Sequence, residues 1–181
     1  REVPPETVEA AILAAAAAGV PVLLNPAPAG KISRRLLGKV HILIANLGEA
    51  EFLLGGSVRG SAGALRGVSR LGSLLAKGGI AIMTLGRRGG CLHAPQSSAA
   101  IRVPAHRVRT VDTTGAGDAF VGAFAADWLE SRDPLRAARF AAAAAALSVT
   151  RPGAIPSLPR IPEVHALLRM DGGRTGPRDP W

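Results

Sequence analysis

Apolar positions fall along this chain in two rhythms. Short, nearly unbroken apolar runs occupy residues 20–24, 40–45 and 80–85, and each ends in a polar or turn residue: Asn25-Pro26, Asn46 and Gly86. Runs of that length bounded by turn signals predict buried strands. Between them the spacing changes to the three-to-four residue period of helices. Pro4-Pro5-Glu6 opens one with proline and acid in the first turn, and it runs through Val8, Ala11, Ile12 and Ala15 to a stop at Gly19. Further helices are predicted around Arg34 and Leu37, from Gly48 to Leu54, over residues 116–130 and over residues 134–149. One over residues 61–76 puts Leu65, Val68, Leu71, Leu74 and Leu75 on one face. Residues 91–94 and 101–103 read as shorter, antiparallel strands. Strands that alternate with helices imply right-handed crossovers and a mostly parallel sheet covered on both faces, a three-layer α/β fold. In such sheets ligands bind beyond the carboxyl ends of the strands. The domain is expected over residues 1–160, and residues 161–181, rich in Pro, Gly and Arg, are expected to form a disordered tail.

Composition narrows the class. A chain of 181 residues, 48% hydrophobic, can bury a core and is not a disordered polymer. The alanine runs at 14–18 and 141–146 are too short to span a membrane. No charged-then-apolar leader opens the chain, and its start at Arg1 reads as cropped. A single cysteine, Cys91, excludes an internal disulfide and a cysteine-built zinc site. The expectation is a cytoplasmic protein, with nuclear entry open by size. Net charge is +9, carried almost wholly by arginine, since the lysines are only Lys31, Lys39 and Lys77. With no tyrosine and 3% aromatic residues the chain lacks stacking platforms for bases, so no nucleic acid partner is expected; an anionic nucleotide accounts for the charge more simply. His41, His93, His106 and His165 have no ligand spacing, and no Gly-x-x-x-x-Gly-Lys-Ser/Thr loop or nucleophile elbow is present.

The chemistry concentrates at Asp112-Thr113-Thr114-Gly115-Ala116-Gly117-Asp118, just before the apolar run that starts at Ala119. Gly115 and Gly117 bare the backbone where the helix begins. Free N–H groups and the helix dipole make such a place an anion site. Asp118, in the first turn, is placed to take a proton from a hydroxyl that attacks phosphate, which points to phosphoryl transfer to an alcohol. A capped helix after a glycine turn is the plain alternative. Three other stretches stand out. Asn46 and Glu49, three apart, suit a water-mediated magnesium ion or a capping box. Residues 84–90, with their glycines, suit a loop that approaches a ligand closely or a strand–turn–strand. Residues 148–157 read as a helix stop, with Pro152 and Gly153.

The string Asp112 to Asp118 resembles the second signature of the ribokinase family of carbohydrate kinases. Carried over, the resemblance makes Asp118 the catalytic base, also in contact with sugar and ATP, and makes the Gly115, Ala116 and Gly117 amides an anion hole. Asn46-Leu47-Gly48-Glu49 is similar to the family element that organises magnesium and phosphate. Thr84-Leu85-Gly86-Arg87-Arg88-Gly89 is similar to its nucleotide loop. The segment from Ser148 to Ser157 is similar to one that helps hold potassium, a site that would draw on Asp112, Thr114, Ser148, Arg151, Gly153 and Ser157. Asn25-Pro26-Ala27-Pro28 and Glu2 resemble ribose-specific members, which implies D-ribose as the acceptor and Glu2 as a sugar contact. The resemblance thus implies ATP, Mg2+ and K+ as cofactors and a pentose as partner, with no membrane. It covers Glu2 to Ser157 and only the carboxy-terminal half of the family fold. The first strands, the sugar-holding glycine pair and the lid through which the family forms homodimers have no counterpart here. The other expectation is therefore a truncated, catalytically inactive chain that binds nucleotide or a partner.

Overall fold

The computed structural model of the chain describes residues 3–172. The described residues fall into two compact units, one built from the chain up to Leu85 together with Gly90–Arg102, the other from Gly86–Gly89 and the chain from Val103 onward.

The first unit is organised on a five-stranded sheet in the order β1 (Leu23–Leu24), β2 (Ile42–Asn46), β3 (Ile80–Thr84), β4 (Gly90–His93) and β5 (Ile101–Val103). The first three strands are parallel, with Leu23 opposite Ile42 and Asn46 opposite Thr84; β4 turns back antiparallel to β3 with Gly90 opposite Thr84. Only five residues, 85–89, separate β3 from β4 in sequence, too few for a crossover, so the return is antiparallel. The apolar runs at β2 and β3 are buried from their first residue to their fourth, as strands with both faces covered must be. The expected strand over residues 20–24 shrinks to two residues. Pro21 has no N–H to give, and Val22 instead donates to His41 Nδ1 at 3.1 Å.

Helices α1 (Pro5–Ala17), α2 (Arg34–Leu37), α3 (Leu47–Leu54) and α4 (Gly60–Gly72) belong to the same unit. Along α4, Ala64, Val68 and Leu71 are buried, the face that the leucine spacing predicts. The helix stops four residues before the expected end. Leu74 and Leu75 donate to carbonyls three residues back, and Ala76 donates to Val40 at 2.9 Å, which turns the chain into β3.

The second unit contains α5 (Ala116–Ser131), α6 (Pro134–Ser148) and α7 (Ile161–Gly172). Arg132, in the left-handed region at φ 54°, and Asp133 join α5 to α6. The Asp133 carboxylate accepts from the N–H groups of Leu135 and Arg136 at 2.9 and 3.0 Å and so caps α6. The alanines at 137, 138, 141, 143 and 144 are buried, small enough for close helix contact. Helix α7 corrects the expected tail. Val164 is 2% exposed and packs with Phe140, Ala143, Ala144, Leu167 and Leu168, a one-sided apolar stripe that residues 161–172 bury. The remainder of that expected tail, 173–181, lies outside the described residues. Among the described residues no helix is long and apolar enough to cross a membrane.

Candidate active site

The turn that leads into α5 lies in the second unit. Gly115 is the N-cap residue at φ 74°, a conformation L side chains rarely adopt, and a Cβ there would lie 3.2 Å from Ala154. Glycine is thus required at this position by both backbone shape and packing. The Ala116 N–H donates to the Thr113 carbonyl at 3.2 Å. Those of Gly115, Gly117 and Asp118 have no hydrogen-bond partner among the described residues. Unpaired N–H groups at the positive end of a sixteen-residue helix are the kind of donors that anions take. Asp118 is exposed in the first turn, at the edge of a cleft of about 300 Å³ that continues past Gly122, Ala126 and Asp127 to His165.

A second chain segment holds the turn in shape. Val111 and Asp112 donate to the Val149 carbonyl at 2.7 and 3.2 Å. Asp112 Oδ1 accepts from the N–H of Thr114 at 2.9 Å and from its hydroxyl at 2.7 Å, and Oδ2 accepts from the N–H of Gly153 at 2.9 Å. These bonds, that of the Thr114 N–H first, hold the Asp112 carboxyl below the usual carboxylate range. Ser148 and Ser157, both fully buried, donate to the carbonyls of Ala145 and Ala154 at 2.9 and 2.8 Å. Each hydroxyl oxygen keeps acceptor capacity. Asp112, Thr114 and Gly153 are joined by these bonds, whereas Ser148 and Ser157 bond to carbonyls of their own segment; oxygen donors of this kind are what hard cations take. Arg151 pairs its guanidinium with Glu163 of α7; a guanidinium has no acceptor, so only the Arg151 main-chain oxygen could join a cation site. The pairing with Arg151 lowers the Glu163 pKa. Sequence reasoning missed Glu163 because it ended the fold at residue 160. The available signal was Pro162-Glu163 opening an apolar stripe at Val164, Leu167 and Leu168.

The remaining candidates of the second unit lie in the turn Gly86–Gly89. Gly89 has φ 81°, and a Cβ there would sit 2.2 Å from the Val103 carbonyl oxygen, so only glycine fits against that strand.

In the first unit Asn46, Glu49 and Thr84 come together at the carboxyl ends of β2 and β3, where Asn46 and Thr84 are register partners, and Leu85 follows. Asn25, after β1, donates through Nδ2 to the Ile44 carbonyl at 2.7 Å and so sits on the same edge. Asn46 and Glu49 form a complete capping box. Glu49 N–H donates to Asn46 Oδ1 at 2.9 Å, while Glu49 Oε2 and Oε1 accept from the Asn46 backbone and Nδ2, both at 2.8 Å. Of the two readings of this pair the cap is the one observed, and Glu49, 6% exposed, retains one acceptor site on each oxygen. Among the described residues no group of three or more His, Cys, Asp or Glu side chains gathers to hold a metal ion. Glu2 lies outside the described residues.

A family model described as pfkB family carbohydrate kinase matches residues 1–161. The chain belongs to that family. Its relatives include the ribokinase of Schizosaccharomyces pombe, 37% identical over 172 residues, which are 93% of this chain and 53% of that protein. A deoxyribokinase of Salmonella typhi is 37% identical over 172 residues, 94% of this chain and 55% of the relative. Among solved structures, Arabidopsis thaliana ribokinase complexed with ribose and ATP matches with a TM-score of 0.83 and 34% identity, over 93% of this chain and 54% of the other. The chain thus spans about half the length of the pfkB relatives it matches.

Proposed function

We propose that this pfkB-family chain carries the nucleotide side and the catalytic base of an ATP-dependent sugar kinase that converts D-ribose to D-ribose 5-phosphate. The observation that carries the reading is the α5 N-terminus, where unpaired N–H groups and the Asp118 carboxylate share one exposed turn. In this reading the Asp118 carboxylate takes the proton of the sugar 5-hydroxyl as its oxygen bonds to the γ-phosphorus. The bond to the ADP oxygen breaks, and the N–H groups of Gly115 and Gly117, with Ala116 between them, stabilise charge on the transferred group. Thr84, Leu85, Gly86, Arg87, Arg88 and Gly89 are assigned to the nucleotide. Asn46 and Glu49 are assigned to magnesium through water, and their free acceptor sites fit that role. Potassium, held by Asp112, Thr114, Ser148, Gly153 and Ser157 with the Arg151 main chain, would supply fixed positive charge behind the turn. Ribose is favoured by the ribokinase relatives and by Asn25-Pro26-Ala27-Pro28; 2-deoxyribose is the natural competitor, given the deoxyribokinase relative.

The test is formation of ribose 5-phosphate from ATP and D-ribose, with magnesium and potassium, beside Asp118→Asn. The variant should lose a factor of about 10²–10⁴ in turnover while keeping nucleotide binding; full activity in Asp118→Asn would overturn the assignment. A second reading rests on the chain's half-length match to its relatives: a piece that binds nucleotide or a partner and does no chemistry. A folded chain that binds ATP without turnover on either sugar would favour it.

A further inference from the structure

Arg87 and Arg88 belong to the site above, but three further arginines, Arg59, Arg66 and Arg70, have no role there and line one cleft elsewhere. Within the first unit a cleft of about 390 Å³ is bounded by the turn at Gly55, Gly56, Ser57 and Val58 and by the facing side of α4. Arg59, Arg66 and Arg70 all line it, and no carboxylate does. None of the three has an ion-pair or hydrogen-bond partner among the described residues. Arg66 and Arg70 stand one helical turn apart, a like-charge pair that is unfavourable without an anion between or beside it. Glu51, on α3, accepts through Oε1 from the Val58 N–H at 2.8 Å.

We propose that this cleft binds a compact phosphate-bearing anion through the guanidinium groups of Arg59, Arg66 and Arg70. The chemistry follows from the donors. A guanidinium presents a planar fork that matches two oxygens of one phosphate, and three forks suit a group with at least two negative charges. Backbone amides contribute little, because the N–H groups of Gly55, Gly56 and Val58 already donate to Phe52, to the Glu51 carbonyl and to the Glu51 carboxylate. Glycines make the room. A Cβ on Gly67 would approach Val58 Cγ2 to 3.3 Å and Met83 Cε to 3.1 Å, so a larger residue would press on the turn, while Gly55 and Gly56 have nothing within 4 Å of a Cβ. The site is independent of the α5 turn and of the kinase reading, and neither depends on the other.

The experiment follows backbone amide resonances of the isotopically labelled 181-residue chain, without magnesium, during titration with sodium pyrophosphate and, separately, inorganic phosphate. Sodium chloride at equal ionic strength is the control. Saturable shifts of Gly55, Gly56, Ser57, Gly63 and Gly67 are expected, with a Kd at least tenfold weaker in the Arg66→Gln/Arg70→Gln double variant, whose other resonances stay in place. Both side chains are exposed, so the variant should fold as the parent does. Equal binding of both anions would identify a single phosphoryl group as the ligand, and preference for pyrophosphate a diphosphate. The proposal is overturned if chloride reproduces the shifts, if the double variant binds as tightly as the parent, or if the shifts are confined to residues 113–118.

Discussion

At the scale of single residues, Gly115 and Asp112 decide whether the α5 turn keeps its shape. Gly115 combines φ 74° with a 3.2 Å approach to Ala154. Gly115→Ala should therefore destabilise the chain by about 1–2 kcal/mol from backbone strain alone. It should also weaken nucleotide binding more than an equal loss of stability elsewhere, which urea unfolding and ATP titration on the same variant would separate. Sequence reading found Gly115 through the glycine pattern before the helix and Asp112 through the family resemblance. It could not find that Asp112 acts as a tie to Gly153, because that bond joins positions 41 residues apart in sequence. Nor could it show that the Ala116 N–H is engaged by Thr113 while its neighbours stay unpaired.

At the scale of elements, the capping box of α3 is the clearest case of one pair with two possible uses. Asn46 ends β2 and starts α3, so the same side chain terminates a strand and satisfies the first helical N–H groups. Asn46→Ala should cost about 1 kcal/mol of stability, read as a lower urea midpoint with an unchanged slope. A merely structural cap predicts no change in the magnesium dependence of nucleotide binding, whereas a magnesium-organising Asn46 predicts a rise in the magnesium concentration needed. Element positions were largely legible in the sequence, since long one-period segments such as α4, α5 and α6 declare themselves by spacing and caps. Ends were less so. The ends of α4 and β1 are set by Ala76 donating to Val40 and by Val22 donating to His41, contacts made across the fold.

At the scale of the whole molecule, the response to acid follows from two carboxylates held below their ordinary range. Asp112 is lowered first by the Thr114 N–H and Glu163 first by Arg151. A group whose pKa is lower folded than unfolded binds more protons in the unfolded chain. Its contribution is complete above the unfolded value of about 4 and disappears as pH falls through the folded value. The stability advantage of the parent over an Asp112→Asn/Glu163→Gln variant should thus be constant from pH 5 to 7 and shrink below pH 4 in urea unfolding. An advantage that persisted unchanged at pH 2.5 would contradict these assignments.

The amino-acid sequence by itself determined what local rules can encode: the buried strands, the helix starts, the glycine-rich turn before α5 and the membership that its motifs announce. Tertiary structure alone decided which partners particular side chains meet, and what becomes of residues the pattern left over. Asp112 ties to Gly153, Arg151 meets Glu163, and Val164 packs residues 161–172 as a helix against Phe140. Arg59, Arg66 and Arg70 are left around one cleft without an acid. The physical reason is common to all four. Each outcome depends on which groups are brought within contact distance, and that is set by the packing of elements rather than by the spacing of residues along the chain.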